Sequence, residues 1–261
     1  MKKIILLLLL LAVNYNSFAV SKEDKERESS YLLQIKNEND SDAMFDLGLL
    51  YDEQEKYDLA EKYYLMAVKY NNGSAMTNLG LIYENQKKYD LAEKYYLMAV
   101  EEESDTGMYN LGLLYDNQKK YTLAEKYYLM AIQKNYSDAM YNLALLYDNQ
   151  EKFSLAEKYY LMAIKENDSD AMYNLALIYD NQKKYPLAEK YYLMAVEAND
   201  SDAAFNLALL YDNQKKYNLA EKYYLIAVKD NSTKAMYNLG ILYKIQKKFS
   251  LAEKYYLMAI K

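Results

Sequence analysis

From Ala43 onward, apolar and polar positions recur as one 32-residue phrase, first written AMFDLGLLYDEQEKYDLAEKYYLMAVKYNNGS and copied in register to Lys261, the seventh copy being shortened. Each copy holds two runs at helical spacing with a short polar turn between them, which predicts two helices per copy. The first run, for example Ala139-Met140-Tyr141-Asn142-Leu143-Ala144-Leu145-Leu146-Tyr147, is apolar around most of its circumference, as suits a helix held between neighbours. The Ser137-Asp138 pair ahead of it predicts an amide cap. The second run opens with a short polar residue and a Glu three places on: Asp58 with Glu61, Thr122 with Glu125, Ser154 with Glu157, Ser250 with Glu253. That spacing predicts a capping box. Pro186, the single proline, stands in the same slot of the fifth copy, where a first helical turn tolerates it.

No such unit can bury its apolar face alone, so the period predicts a stack of helix-turn-helix units. The units are expected at 43–74, 75–106, 107–138, 139–170, 171–202, 203–234 and 235–261. Residues 20–42 read as a polar N-terminal segment with a degenerate capping helix over Asp24 to Asn37, Tyr31-Leu32-Leu33 standing where later units have Tyr-Tyr-Leu. Residues 1–19 read as a signal peptide: Lys2 and Lys3, an apolar run from Ile4 to Val13, then Ser17-Phe18-Ala19 as a small-x-small cleavage site. The apolar run falls short of the roughly 20 residues of a bilayer span. The expected mature chain begins at Val20 and is exported, periplasmic or secreted, and the short leader with Lys/Asn/Tyr/Ile-heavy usage points to a bacterial source.

The spacing resembles the tetratricopeptide repeat (TPR), on the match of Leu111-Gly112 and Tyr115 in the first helix and of Ala124, Tyr128 and Ala131 in the second. Met108 stands where that pattern prefers Trp, and Ala144, Ala176 and Ala208 replace its Gly. The junction between units, a polar loop leading into Ala-x-Tyr-Asn-Leu-Gly, resembles that of the Sel-one-like repeat (SLR). The resemblance implies an all-α, right-handed solenoid of stacked helix-turn-helix repeats.

Composition narrows the chemistry. The chain has no Cys and no His, which removes disulfides, thiol nucleophiles, His-based triads and nearly all zinc sites. Its carboxylates recur with the period, as at Asp116, Asp148, Asp180 and Asp212, whereas an active site needs a unique constellation. The Asp-Asn pairs lack the glycine-turned loop of a calcium site, and no Gly-rich phosphate cradle is present. No enzyme activity, metal or cofactor is expected. A formal charge of −6, or −8 once Lys2 and Lys3 are removed (−6 − 2), disfavours nucleic acid and anionic lipid. The inter-unit loops spell Asn-x-Ser/Thr at Asn39, Asn72, Asn135, Asn167, Asn199 and Asn231, and helix ends explain these without glycosylation.

Most of the 34 Tyr, such as Tyr51, Tyr63 and Tyr64, fall at packing positions. The aromatic residues at the third place of each unit do not. The TPR resemblance implies a concave groove lined by the first helices. Carried over by position, it is lined by Tyr109, Asn110, Leu113, Asp116 and Asn117, by Tyr141, Asn142, Leu145, Asp148 and Asn149, by Tyr173, Asn174, Leu177, Asp180 and Asn181, and by Phe205 and Asn206. The Asn amide can donate and accept together, which suits either a peptide main chain or backbone groups between helices. An acidic, aromatic groove favours a protein or peptide partner with Lys or Arg side chains. Leu123, Met130, Leu155, Met162, Leu187 and Met194 form an outer stripe, for a weak partner or membrane contact or for burial by neighbouring second helices. No polar cap follows the last unit, so self-association through 235–261 is expected. The two function readings are an exported interaction scaffold and a structural or self-assembling repeat protein. An enzymatic role survives only as delivery of a substrate to a catalytic partner.

Overall fold

The computed structural model describes residues 21–260. The leader expected over residues 1–19 lies outside them. The described residues hold fifteen helices and no strand. Helix α1 (Lys22–Glu38) precedes the pairs α2 (Ser41–Glu53) and α3 (Tyr57–Val68), α4 (Gly73–Asn85) and α5 (Tyr89–Glu101), and α6 (Asp105–Asn117) and α7 (Tyr121–Gln133). Then come α8 (Asp138–Asn149) and α9 (Phe153–Lys165), α10 (Ser169–Asn181) and α11 (Tyr185–Glu197), α12 (Ser201–Asn213) and α13 (Tyr217–Lys229), and α14 (Thr233–Ile245) and α15 (Phe249–Ile260). The chain divides into two compact units, one ending at Lys134 and one starting at Asn135. Within each, the two helices of a repeat pack on each other and the second packs on the first helix of the next repeat, the all-α solenoid arrangement.

Six of the seven first helices are capped by a side chain one residue ahead of the expected Ser-Asp pair. Asp40, Asn72, Ser104, Asp168, Asp200 and Ser232 accept from the amides of Ala43, Ala75, Gly107, Ala171, Ala203 and Ala235. The fourth repeat has Tyr136 in that slot, which offers no short oxygen, and there Ser137 takes the end position without a side-chain cap. The first helices therefore begin one or two residues before the sequence boundaries.

The capping boxes of the second helices are not formed. These helices start at the aromatic residue before the polar one, and Lys56, Lys88, Lys120, Lys152, Lys184 and Lys216 hold the end positions with no side-chain cap. Asp58 thus lies inside the first turn, as does Pro186. At four repeats the Glu in this position instead accepts from the next repeat: Tyr83 donates to Glu61 at 2.6 Å, Tyr115 to Glu93 at 2.8 Å, Tyr211 to Glu189 at 2.9 Å and Tyr243 to Glu221 at 2.8 Å. A carboxylate that bonds a nearly buried phenol cannot also reach back to its own helix start. Tyr51 finds the equivalent partner on α1, donating to Glu28 at 2.7 Å, although α1 itself buries no residue.

The core of a repeat is one Tyr on the second helix, fully buried at Tyr64, Tyr96, Tyr128, Tyr160, Tyr192 and Tyr224. Its ring lies against the small residue of the first helix; a Cβ added at Gly112 would meet Tyr128 at 2.7 Å, so Ala144, Ala176 and Ala208 require slightly displaced rings. A second Tyr pair stacks beside it in every repeat, for example Tyr179 on Tyr191 at 5.7 Å between centroids. Lysine ammoniums lie over both rings of that pair, Lys184 at 5.6 Å and Lys190 at 4.7 Å.

Candidate interaction face

In each unit one pair of consecutive first helices touches directly, Gly73–Asn85 with Asp105–Asn117 and Ser201–Asn213 with Thr233–Ile245. Among the described residues the second helices do not come as close to one another. The first-helix face is therefore the inner one of each unit. Along it Tyr109, Asn110, Leu113 and Asp116 are half-buried, and Asn117 is exposed. Tyr141, Asn142, Leu145, Asp148, Tyr173, Asn174, Leu177, Asp180, Phe205 and Asn206 are half-buried too, with Asn149 and Asn181 exposed.

Each face-lining aromatic is propped by the buried Tyr behind it, Tyr109 tilted on Tyr128 at 6.2 Å, Tyr141 on Tyr160 at 6.1 Å, Tyr173 on Tyr192 at 6.3 Å and Phe205 on Tyr224 at 6.1 Å. The Asn residues are partly committed to the fold. Asn174 donates to the Tyr141 hydroxyl at 3.1 Å and Asn206 to Tyr173 at 2.9 Å, each reaching back one repeat, while Asn142 donates to the Asp138 carbonyl on its own helix. Phe205 has no hydroxyl to accept the next such bond. The amides thus orient the rings, and the groups they meet between helices are Tyr hydroxyls rather than the backbone groups expected.

The recurring carboxylate faces inward. Tyr96 donates to Glu84 at 2.8 Å, and Tyr128 and Tyr192 to Asp116 and Asp180 at 3.5 Å. Tyr160 and Tyr224 face Asp148 and Asp212 without a well-formed bond, and their hydroxyls are buried unpaired. Burial raises the pKa of Asp116, Asp148, Asp180 and Asp212 above the ordinary carboxylate value, the nearby phenol acting the other way. The Tyr64 phenol is pushed up to about 12, also by burial, against the opposing bond from Asn78.

In the first unit these positions converge on an open cleft of about 530 Å³ lined by Asp52, Tyr57, Asn78, Leu81, Ile82, Asn85 and Gln86. Asn78, Leu81 and Asn85 hold the places that Asn110, Leu113 and Asn117 hold one repeat later. The floor is apolar, and the rim offers amides, a carboxylate and a phenol. Tyr57 was not among the expected lining residues. Its counterparts Tyr89, Tyr121, Phe153, Tyr185 and Phe249 are likewise exposed, each directly after a Lys at the repeat period. That recurrence is the available signal, and it is lost when the second helix is started one residue too late. Outside, Leu123, Leu155 and Leu187 are about two-fifths exposed and Met130, Met162 and Met194 half-buried, so the outer stripe is only partly covered.

The tetratricopeptide repeat family matches residues 45–107, 141–204 and 205–261, and again 105–133, and the chain belongs to that family. No curated protein sequence matches it. Among solved structures it is similar to a protective antigen present in uropathogenic Escherichia coli strains displaying an SLR fold, at 18% identity and a TM-score of 0.70 over 91% of this chain. The chain spans 61% of that longer protein. It is similar to a Sel1 repeat protein from Oxalobacter formigenes at 24% identity and a TM-score of 0.62, over 83% of this chain and 96% of the other. It is also similar to YrrB, a TPR protein with an unusual peptide-binding site, at 21% identity and a TM-score of 0.50, over 63% of this chain and 90% of the other. These likenesses are of fold.

Proposed function

We propose that the protein is an exported, non-enzymatic interaction scaffold that holds an extended peptide or protein segment on the first-helix face of its repeats. The observation that carries this reading is the open cleft at Asn78, Leu81 and Asn85, whose residue positions recur in the sequence of the later repeats. A ligand there gains apolar contact with Leu and Tyr, while Asn and Gln amides meet its main chain. The desolvated carboxylates favour a Lys or Arg side chain, because a neighbouring cation relieves the cost of holding a half-buried negative charge. A TPR fold that carries a peptide-binding site, as in YrrB, is in keeping with this use. A photo-crosslinker placed at Leu177 should capture a partner that the same group at Lys190 on the outer side does not; equal capture from both would remove the face assignment.

A second reading, self-association, is favoured by the last repeat. Tyr237, Tyr256, Ala259 and Ile260 line an apolar hollow of about 580 Å³, and Leu257 and Ile260 are exposed. Light scattering over a dilution series tests it. A concentration-independent monomer would dismiss the pairing of copies through 235–261.

A further inference from the structure

Net charge conceals a basic run of turns in the second unit. In the second unit the last three turns within repeats, residues 182–187, 214–219 and 246–251, contain six Lys and no Asp or Glu, while the first, 150–155, pairs Glu151 with Lys152. The turns between repeats at 166–170 and 197–202 contain six carboxylates and no Lys or Arg, whereas the last one, 229–234, has Lys229 and Lys234 against Asp230. Thirteen-residue helices separate the two edges, a distance of about 20 Å at about 1.5 Å per residue. The Debye length at physiological ionic strength is about 8 Å. Each edge therefore meets a partner with its own charge, and the acidic total does not shield the basic edge.

The basic edge is also apolar. Tyr185 and Phe249 open their helices 42% and 65% exposed, and Leu187, Leu219 and Leu251 follow two residues later at 39–40%. Lys215, Lys216, Tyr217, Asn218 and Leu219 line a shallow hollow of about 370 Å³. The last repeat strengthens both properties, with exposed Lys244 and Ile245 where the other repeats of this unit have Asp and Asn.

The backbone gives an independent sign. Lys183, Lys215 and Lys247 sit at φ of 59°, 59° and 58°, in the left-handed region that Asn tolerates and Lys does not favour. The turns between repeats place Asn167, Asn199 and Asn231 at the corresponding strained position. On this edge of the second unit the position never holds Asn, the better turn residue: it is Lys in three turns and Glu151 in the fourth.

We propose that this edge, Lys-Lys followed by an aromatic residue and Leu in three successive turns, docks on the surface of an anionic lipid bilayer. Lys side chains there meet phosphate headgroups while the exposed rings and Leu enter the headgroup boundary. The acidic edge of a second copy would satisfy the charge but offers no apolar counterpart in 166–170 or 197–202, so pairing would set Tyr185 and Phe249 against carboxylates. This edge adjoins the first-helix face through the Tyr57 series, to which Tyr185 and Phe249 belong, and its proposed use does not depend on the scaffold reading.

The test is co-sedimentation of the full chain with vesicles of phosphatidylcholine alone and of phosphatidylcholine mixed with phosphatidylglycerol. Binding is expected only to the mixed vesicles and should weaken with salt. The triple variant Lys183→Glu, Lys215→Glu, Lys247→Glu folds, since Glu55 and Glu151 already occupy that left-handed position. It should lower partitioning by at least about a hundredfold, at about fivefold per Lys. Tyr185→Ser with Phe249→Ser should lower it as well, and Glu151→Lys should raise it. Binding indifferent to phosphatidylglycerol, to the Lys substitutions or to the aromatic substitutions overturns the proposal. So does salt-sensitive self-association of the free protein that the triple Lys variant abolishes, which would assign the edge to a second copy.

Discussion

Tyr211→Phe isolates the bond that ties one repeat to the next. The ring is 3% exposed, stacks on Tyr223 at 5.6 Å and lies under Lys216, and Phe preserves all of that burial. What is lost is the hydroxyl's bond to Glu189 at 2.9 Å. A hydrogen bond to a charged group contributes about 1.5–3 kcal/mol, and Glu189, only half-buried, recovers part of this from water when its partner goes. The expected destabilisation is about 1–2 kcal/mol. Because repeat stability is a sum of unit and interface contributions, the loss falls on one interface, so urea unfolding should broaden as the repeats uncouple. The assay is a double-mutant cycle with Glu189→Gln, read by urea denaturation with circular dichroism. A coupling of about 1 kcal/mol or more is expected. Strict additivity, or a Tyr211→Phe variant as stable as the parent, would refute the view that this phenol and carboxylate join the repeats.

Other expectations follow from the same geometry. Asp168→Ala should cost about 1 kcal/mol while Ser137→Ala costs nothing measurable, because only the first accepts from a helix amide; equal losses in thermal melts would contradict the cap assignment. Asp180 has a raised pKa in the fold, so the stability from its protonated form is present below the ordinary carboxylate range and lost as pH rises through the raised value. Asp180→Asn should therefore raise the melting temperature near pH 7 by an amount that shrinks toward pH 4, and a constant or negative difference would argue against desolvation. Burial and carboxylate partners raise the pKa of Tyr51, Tyr83, Tyr115, Tyr211 and Tyr243, so their contribution holds below the unfolded-state pKa near 10 and is lost as pH climbs through the raised values. Spectrophotometric titration should show a class of phenols that ionises only with unfolding. Replacing Asn174 and Asn206 by Ala should cost about 0.5–1.5 kcal/mol each, since both bonds to Tyr hydroxyls disappear; unchanged stability would show that the amides serve a ligand alone.

The helices and their stacking were legible in the sequence because periodicity fixes which faces are buried, and Tyr64 with its counterparts occupies the predicted core. The ends of the helices were not. A short polar residue followed by Glu looks the same whether Glu serves its own helix start or a neighbour's phenol, and only the stack brings Tyr83 within reach of Glu61. That ambiguity moved the second-helix start past Tyr57 and hid the exposed aromatic series. The Asn dilemma had the same origin: Asn206 and Tyr173 lie 33 residues apart, a contact that no local pattern encodes. Net charge concealed the basic edge because a sum carries no position.

The most direct test of the scaffold reading is fluorescence anisotropy with a panel of extended peptides that differ only in Lys or Arg against neutral residues, titrated with the protein and with its Leu177→Lys, Asn174→Ala variant. Lys- and Arg-bearing peptides should bind the parent, lose affinity as pH falls through the raised carboxylate values, and bind the variant at least about tenfold more weakly, two lost contacts of about 1 kcal/mol each. Equal affinity for parent and variant, or a preference for acidic peptides, would contradict a peptide-holding first-helix face.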